Sequence, residues 1–315
     1  MPTVCRRLRL ALLKIPAGNL HLCPMLKTPP AAPLHVVKPL PGWPAGMEVA
    51  LLRTDLVHAQ YGGNKYYKLY YNLVEAQRLG LPVLTFGGAY SNHIAATAAA
   101  AAEAGIDATG IIRGEELDAQ SNDVLRFAAS CGMQLHFVSR SEYRRRYDAD
   151  YHSELAQRFG AFYCVPEGGS NALAVKGFAH VFPPEAKAYA HIVCATGTGG
   201  TLAGLAAFAA PHQQVTGVAV VNDGVRIRAR VEELLQPYGD AAAWRLEERF
   251  TGGGYGKVSP ELEAFCGEVS AGWGIRADAQ YVGKMLFGVN VMVGAGEVYG
   301  RILVVCSGSN YYISK

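Results

Sequence analysis

Short apolar runs recur along the chain: VLTF at 83–86, ATGIIR at 108–113, QLHFV at 134–138, HIVCA at 191–195, VTGVAVV at 215–221 and RILVVC at 301–306. They are rich in β-branched and aliphatic side chains and show little polar alternation, the pattern of strands buried on both faces. EVALLR at 48–53 reads the same way. Between these runs the period lengthens. KYYKLYYNLVEAQRLG (65–80), AATAAAAAEAG (95–105) and DVLRFAASCG (123–132) are helical patterns, each ending in a glycine suited to a helix C-terminus. Strands and helices alternating at this spacing predict an α/β protein with parallel sheets covered by helices.

Three segments stand outside this alternation. The proline-rich KTPPAAPLHVVKPLPGWPAG (27–46) predicts an extended surface lead-in to the strand at 48–53. SRSEYRRRYDADYHSEL (139–155) is the most charged stretch and predicts a solvated helix face, with an anion-binding patch as the alternative. The opening MPTVCRRLRLALLKIPAGN is broken by Lys14 and Pro16 and is too short to span a bilayer. It reads as a disordered or misassigned start, with a signal or transit peptide as the alternative.

Candidate chemistry sits at three strand–helix junctions. In YGGNKYYKLYYN (61–72), Asn64 is the expected N-cap, with Lys65 in the first turn and Lys68 on the same face. A helix N-terminus and a second cation both disfavour an ammonium, so Lys65 is expected to have a lowered pKa and to attack a carbonyl or take a proton. The alternative is a pair of ordinary surface lysines. In LTFGGAYSNHIAATAAAAA, a Gly-Gly turn leads to Ser91, Asn92 and His93 at a helix start, where N–H groups and short polar side chains can hold a carboxylate. Helix capping alone also explains Ser91 or Asn92, and His93 reads either as an acid–base group or as a structural donor. In HIVCATGTGGTLAGLAAFAA, the loop Thr196, Gly197, Thr198, Gly199, Gly200 and Thr201 precedes a helix and suits a phosphate.

That last loop also matches two of three glycines of a dinucleotide fingerprint, with Asp223 near the ribose-binding position, but Leu202 stands at the third. An NAD(P)-dependent oxidoreductase is therefore a second reading, one that leaves Lys65 unexplained. An imine-forming lysine, a phosphate loop and a carboxylate site together suggest pyridoxal 5′-phosphate (PLP) and a small amino acid substrate.

Composition narrows the class. The 315 residues are 50% hydrophobic and 17% charged, which suits a compact enzyme of two domains. A net charge of +3 gives no support for a nucleic-acid or membrane partner. Seven cysteines, at 5, 23, 131, 164, 194, 266 and 306, form no C-x-x-C pair, so a reducing cytoplasm without disulfides is expected. The histidines form no metal motif, and no metal is expected.

GGNKYYKL, TFGGAYSNH, PEGGSNALAVKGF, ATGTGGTLAGL, RFTGGGYG and YVGKM, in this order, resemble the 1-aminocyclopropane-1-carboxylate (ACC) deaminase/D-cysteine desulfhydrase family, from about Arg53 to about Ser307. The resemblance implies a two-domain, tryptophan-synthase-β-like fold (fold type II): a large PLP-binding domain at 1–79 and 181–315, a small α/β domain at 80–180, and a possible homodimer. It implies that Lys65 holds the cofactor aldehyde and later shuttles protons, that Lys68 and the 196–201 loop hold the phosphate, and that Asn92 bonds the ring oxygen. Ser91, Asn92 and His93 would receive the substrate carboxylate, with Tyr255 and Tyr281 as active-site tyrosines.

Two departures bear on the reaction. Where ACC deaminases of the family have glutamate facing the pyridine nitrogen, and desulfhydrases threonine or serine, this chain has Val282. Where members continue into a His-Thr-Gly-Gly-like turn it has Cys306 and Ser307, and ACC deaminases tend to have leucine at the second of these positions. The sequence ends soon afterwards, which implies a less closed site. A smaller departure is Tyr67 in place of a frequent arginine. The expected activity is a PLP-dependent lyase or deaminase that eliminates a β-substituent from D-cysteine or a related amino acid, giving a 2-oxo acid and ammonia. ACC deamination and PLP binding without turnover are the alternatives within the family.

Overall fold

The computed structural model describes residues 26–254 and 256–308. The chain runs β1 (Leu34–Val37), β2 (Glu48–Leu52), α1 (Asn64–Leu79), β3 (Val83–Gly88), α2 (Asn92–Ala104), β4 (Ala108–Arg113) and α3 (Asp123–Ser130). It continues through β5 (Gln134–Val138), α4 (Arg140–Arg144), α5 (Ala149–Phe159), β6 (Tyr163–Val165), α6 (Ala172–Gly177), β7 (His191–Thr196) and α7 (Gly200–Phe208). The last elements are β8 (Gln214–Ala219), α8 (Gly224–Leu235), β9 (Ala243–Glu247), α9 (Pro260–Trp273), α10 (Val282–Gly294) and β10 (Arg301–Val305).

The strands form two sheets. One has the order β1-β2-β10-β7-β8-β9 and the other β5-β4-β3-β6. All pairings are parallel except that of β1 with β2. Parallel pairing requires crossover helices on the faces, so both faces must be apolar. β2 and β10 show how this is met. Val49, Leu51, Ile302 and Val304 pack into one core, while Ala50, Leu52, Leu303 and Val305 pack into the core on the other face.

The expected α/β class and its strands are present, with two differences. The proline-rich lead-in contributes β1, an antiparallel edge strand, a place that tolerates proline neighbours and needs partners on one side only. Strands β6 and β9 escaped the sequence pattern because they are short or partly exposed. The charged segment 139–155 spans α4 and part of α5. The opening residues and the last seven lie outside the described residues, as do Cys5 and Cys23. The five described cysteines are free thiols. Among the described residues no helix is long and apolar enough to cross a membrane.

Loops at the C-terminal ends of β3, β4, β7 and β10 meet α1 at one cleft, the usual place for ligands in parallel α/β sheets. Two close approaches fix α1 there. Gly63, at φ +92°, precedes the helix, and a Cβ on it would lie 2.5 Å from the Gly308 carbonyl oxygen and 2.6 Å from that of Ser307. Gly177 at the end of α6 lets that helix touch α1, since a Cβ there would be 1.9 Å from the Tyr67 carbonyl oxygen. Tyr67 itself is buried, donates to the Pro30 carbonyl at 3.0 Å and stacks on Phe178.

Gly177→Ala tests this packing. Alanine's helix propensity gains about 1 kcal/mol, but the obstacle is a backbone carbonyl, and overpacking costs about 3 kcal/mol or more. A net loss of about 2 kcal/mol is expected from urea unfolding. Unchanged stability would contradict the contact.

Candidate active site

Three of the chain segments that line the cleft, which has a volume of about 990 Å³, carry the residues expected from the sequence. The first is the start of α1. Asn64 was expected as its N-cap, but Gly63 holds that position and Asn64 is the first helical residue. Asn64 looks inward instead: its amide donates to Thr201 Oγ1 at 2.8 Å and accepts from Lys65 Nζ at 3.1 Å. The Asn64 N–H is satisfied by the Ser307 carbonyl at 3.3 Å.

Lys65 lines the cleft and keeps partial exposure towards it. Burial by the surrounding protein lowers its pKa from 10.5 to about 8. The direction matches the sequence-based expectation, with desolvation as a cause that the sequence did not show. Lys68 is the more buried lysine. Its ammonium donates to the Gly168 carbonyl at 2.7 Å and to Ser170 Oγ at 2.9 Å. Burial, then Lys65 and Arg230, push its pKa well below the ordinary value. None of the carboxylates among the described residues pairs with it.

The second segment is the turn after β3. Ser91 caps α2 and accepts from the Ile94 N–H at 3.4 Å, leaving its own proton to donate. Gly87 must lack a side chain, because a Cβ would strike Ile94 and Ser91 Oγ. Asn92 opens α2, where the first N–H groups have no partner within the helix, and both residues line the cleft. His93 is placed differently. Thr85 donates its hydroxyl proton to the Val165 carbonyl at 2.8 Å, so it accepts from His93 Nε2–H at 2.7 Å. Nδ1 faces Thr97 Oγ1 at 3.4 Å. Burial, with Lys65 and Lys68 nearby, pushes the imidazole pKa well below its usual range. A neutral ring with both nitrogens occupied leaves His93 its backbone N–H, and not its side chain, for a carboxylate.

The third segment is the Thr196–Thr201 loop, whose residues other than Gly200 line the cleft; Gly199, at φ +82°, turns the chain into α7. Gly200 allows Ser170 and Lys68 to approach, since a Cβ would be 2.5 Å from Ser170 Oγ and 2.9 Å from Lys68 Cε. Thr198 Oγ1 lies 2.6 Å from Ser170 Oγ. Thr201, which accepts from Asn64, keeps its own proton to donate. Arg230 of α8 closes the group by donating to the Ser170 carbonyl at 2.6 Å and to Glu233 at 2.7 Å.

These residues fit PLP on two counts. A buried lysine with no carboxylate, beside a helix N-terminus and two hydroxyls, lacks the counter-charge that a phosphate would supply. Gly197 has no positive φ, and a Cβ there would meet nothing closer than 3.9 Å. The protein's own packing therefore does not require glycine at 197, and the bare backbone there would leave room for a bound cofactor.

Tyr281 lines the cleft at the N-cap of α10, with its N–H bonded to Asp278 Oδ1 at 2.7 Å. Tyr255 lies outside the described residues. Val282 is buried and presents only an apolar side chain, and its N–H bonds Asp278 Oδ2 at 3.2 Å. Reading the sequence for chemistry missed Ser170, Gly168 and Arg230. The first two stand in PEGGSNALAVKGF, but nothing local in that stretch says that its carbonyl and hydroxyl receive a lysine about a hundred residues away.

The Lys65 pKa gives a measurable consequence. In protein free of cofactor, acylation of Lys65 should rise through about pH 8 rather than 10.5. Because the folded value lies below the unfolded one, unfolding takes up a proton between those pH values. Raising the pH across that window therefore stabilises the fold, and Lys65→Met removes that increment. Peptide mapping after pulse acylation would contradict this with a midpoint near 10.5.

A model of the family described as pyridoxal-phosphate dependent enzymes matches residues 40–308. Over 277 residues the chain is 28% identical to the "Putative 1-aminocyclopropane-1-carboxylate deaminase" of Pyrococcus horikoshii, covering 84% of this chain and 85% of that one. It is 27% identical over 281 residues to the D-cysteine desulfhydrase of Serratia proteamaculans, covering 82% and 84%. The crystal structure of an ACC deaminase homologue matches with a TM-score of 0.76 at 26% identity, over 90% of this chain and 91% of that one. These matches remove the nicotinamide alternative for the 196–201 loop. The chain belongs to the pyridoxal-phosphate dependent enzyme family, has its fold type II architecture, and takes PLP as its cofactor.

Proposed function

We propose that this protein is a lyase that removes a β-substituent from a small amino acid, D-cysteine or a relative of it, to give a 2-oxo acid and ammonia. One observation carries the reading: Lys65, the Ser91–Asn92 turn and the Thr196–Thr201 loop line a single cleft. Bound PLP supplies the electron sink that makes the substrate α-proton acidic. Lys68, Thr198, Thr201 and the N–H groups opening α7 hold the phosphate. Ser91, Asn92 and the first N–H groups of α2 hold the α-carboxylate and so orient Cα. Lys65 takes the α-proton on Nζ, for which a pKa of about 8 is well matched near neutral pH. The bond from Cβ to its substituent breaks with the electron pair leaving on the substituent, and water then releases the 2-oxo acid and ammonia.

The same reading places residues 1–79 and 181–315 in the cofactor-binding domain and 80–180 in a smaller one; the four-stranded sheet draws its strands from that middle stretch. Val282 and Ser307 favour elimination over ACC ring opening. By the family resemblance, Val282 lacks the carboxylate that ACC deaminases carry there and Ser307 replaces their leucine, and the D-cysteine desulfhydrase of S. proteamaculans is among the relatives.

A panel of D- and L-cysteine, D- and L-β-chloroalanine and ACC separates the outcomes. One enantiomer of cysteine should yield sulfide and pyruvate in equal amounts, with ACC giving no 2-oxobutanoate. Lys65→Ala should lower kcat by about 10³-fold or more. Faster 2-oxobutanoate release from ACC would reverse the assignment, and a cofactor-loaded protein inert to the whole panel would mark binding without turnover.

A further inference from the structure

The arginines around the cleft are not alike. Arg146 pairs with Glu167 at 2.8 Å, Arg230 with Glu233 at 2.7 Å and Arg226 with Asp223 at 3.4 Å. Arg113 and Arg140 also line the cleft, and neither has a carboxylate within ion-pair distance among the described residues. The acid on the same rim, Glu116, lies beyond that distance from both.

Topology places the two together. Arg113 is the last residue of β4, in register with Gly88 of β3 on one side and Val138 of β5 on the other. Arg140 begins α4 two residues after Val138, so both side chains rise from neighbouring strand ends. Gly88 opens the turn that carries Ser91 and Asn92, and Arg113 Nη2 lies 3.5 Å from where a Cβ on Gly88 would be. The Arg113 guanidinium also sits 5.8 Å from the centre of the Tyr143 ring, a contact that orients it without neutralising it. Two exposed guanidinium forks without a carboxylate partner, on the rim that also carries Ser91 and Asn92, have the donor geometry for a planar or tetrahedral oxyanion.

The anions already assigned do not use this receptor. The cofactor phosphate belongs to the loop after β7, on the other sheet, and the α-carboxylate to Ser91, Asn92 and α2. We propose that, among small β-substituted amino acids, the cleft prefers those carrying a second anionic group on the side chain, a carboxylate, sulfonate or phosphate, held by Arg113 with Arg140. This rests on the cleft being the amino acid site and adds to it a preference for a β-substituent that is acidic. It also gives a role to the charged segment 139–155.

The test uses the cofactor-loaded protein and follows the visible absorbance of the cofactor on titration with aspartate and with asparagine, each as both enantiomers. Wild-type protein should bind aspartate about tenfold more tightly than asparagine of the same hand. Arg113→Gln with Arg140→Gln should abolish that gap while leaving asparagine within about twofold of wild type. Equal affinities in the wild type overturn the proposal. So does an equal loss for both ligands in the variant, which would assign Arg113 to the α-carboxylate. If the panel above is turned over and the aspartate gap is missing, only this inference fails. If no amino acid perturbs the absorbance, the amino acid reading of the cleft fails with it.

Discussion

Among the described residues, the buried Lys68 amine bonds a carbonyl and a hydroxyl and pairs with no carboxylate. A charge on it is costly unless an anion joins it, and the residues gathered around it leave room for one. Its two acceptors come from the segment after β6, the hydroxyl it bonds lies beside Thr198, and Gly200 is bare so that these groups can touch. The six-stranded and four-stranded sheets thus meet at one lysine on α1. The Lys65 amine stands one helical turn away on α1 and lines the same cleft; in the proposed function a phosphate would satisfy Lys68.

α1 is held in turn by backbone contacts that only glycine permits. Gly63 admits the carbonyls that follow β10, and Gly177 admits the Tyr67 carbonyl. These contacts make the position of Lys65 a property of the whole fold. The protein packed around the cleft lowers the pKa of Lys65 by burying its amine.

Much of this was legible in the sequence because parallel strands buried on both faces leave uninterrupted apolar runs, and glycine-rich turns mark the strand ends that face a ligand. What escaped depends on distant partners. Asn64 looks like a cap by residue type, yet it serves Thr201, about 140 residues along the chain. His93 looks available beside Ser91 and Asn92, yet Thr85 and Thr97 occupy its ring. β1 was hidden by its prolines, which an antiparallel edge accommodates. The difference between Arg113 and Arg146 has no sequence signal at all, since it consists in which arginine finds a glutamate.

The central claim is that Lys65, and not its neighbour Lys68, holds the cofactor aldehyde. Borohydride reduction of the PLP-loaded protein, followed by peptide mass mapping, tests it directly. The account predicts one pyridoxyl group on the peptide containing Lys65, assigned to that residue by fragmentation. A pyridoxyl group on Lys68 or Lys284, or on no lysine, would contradict it.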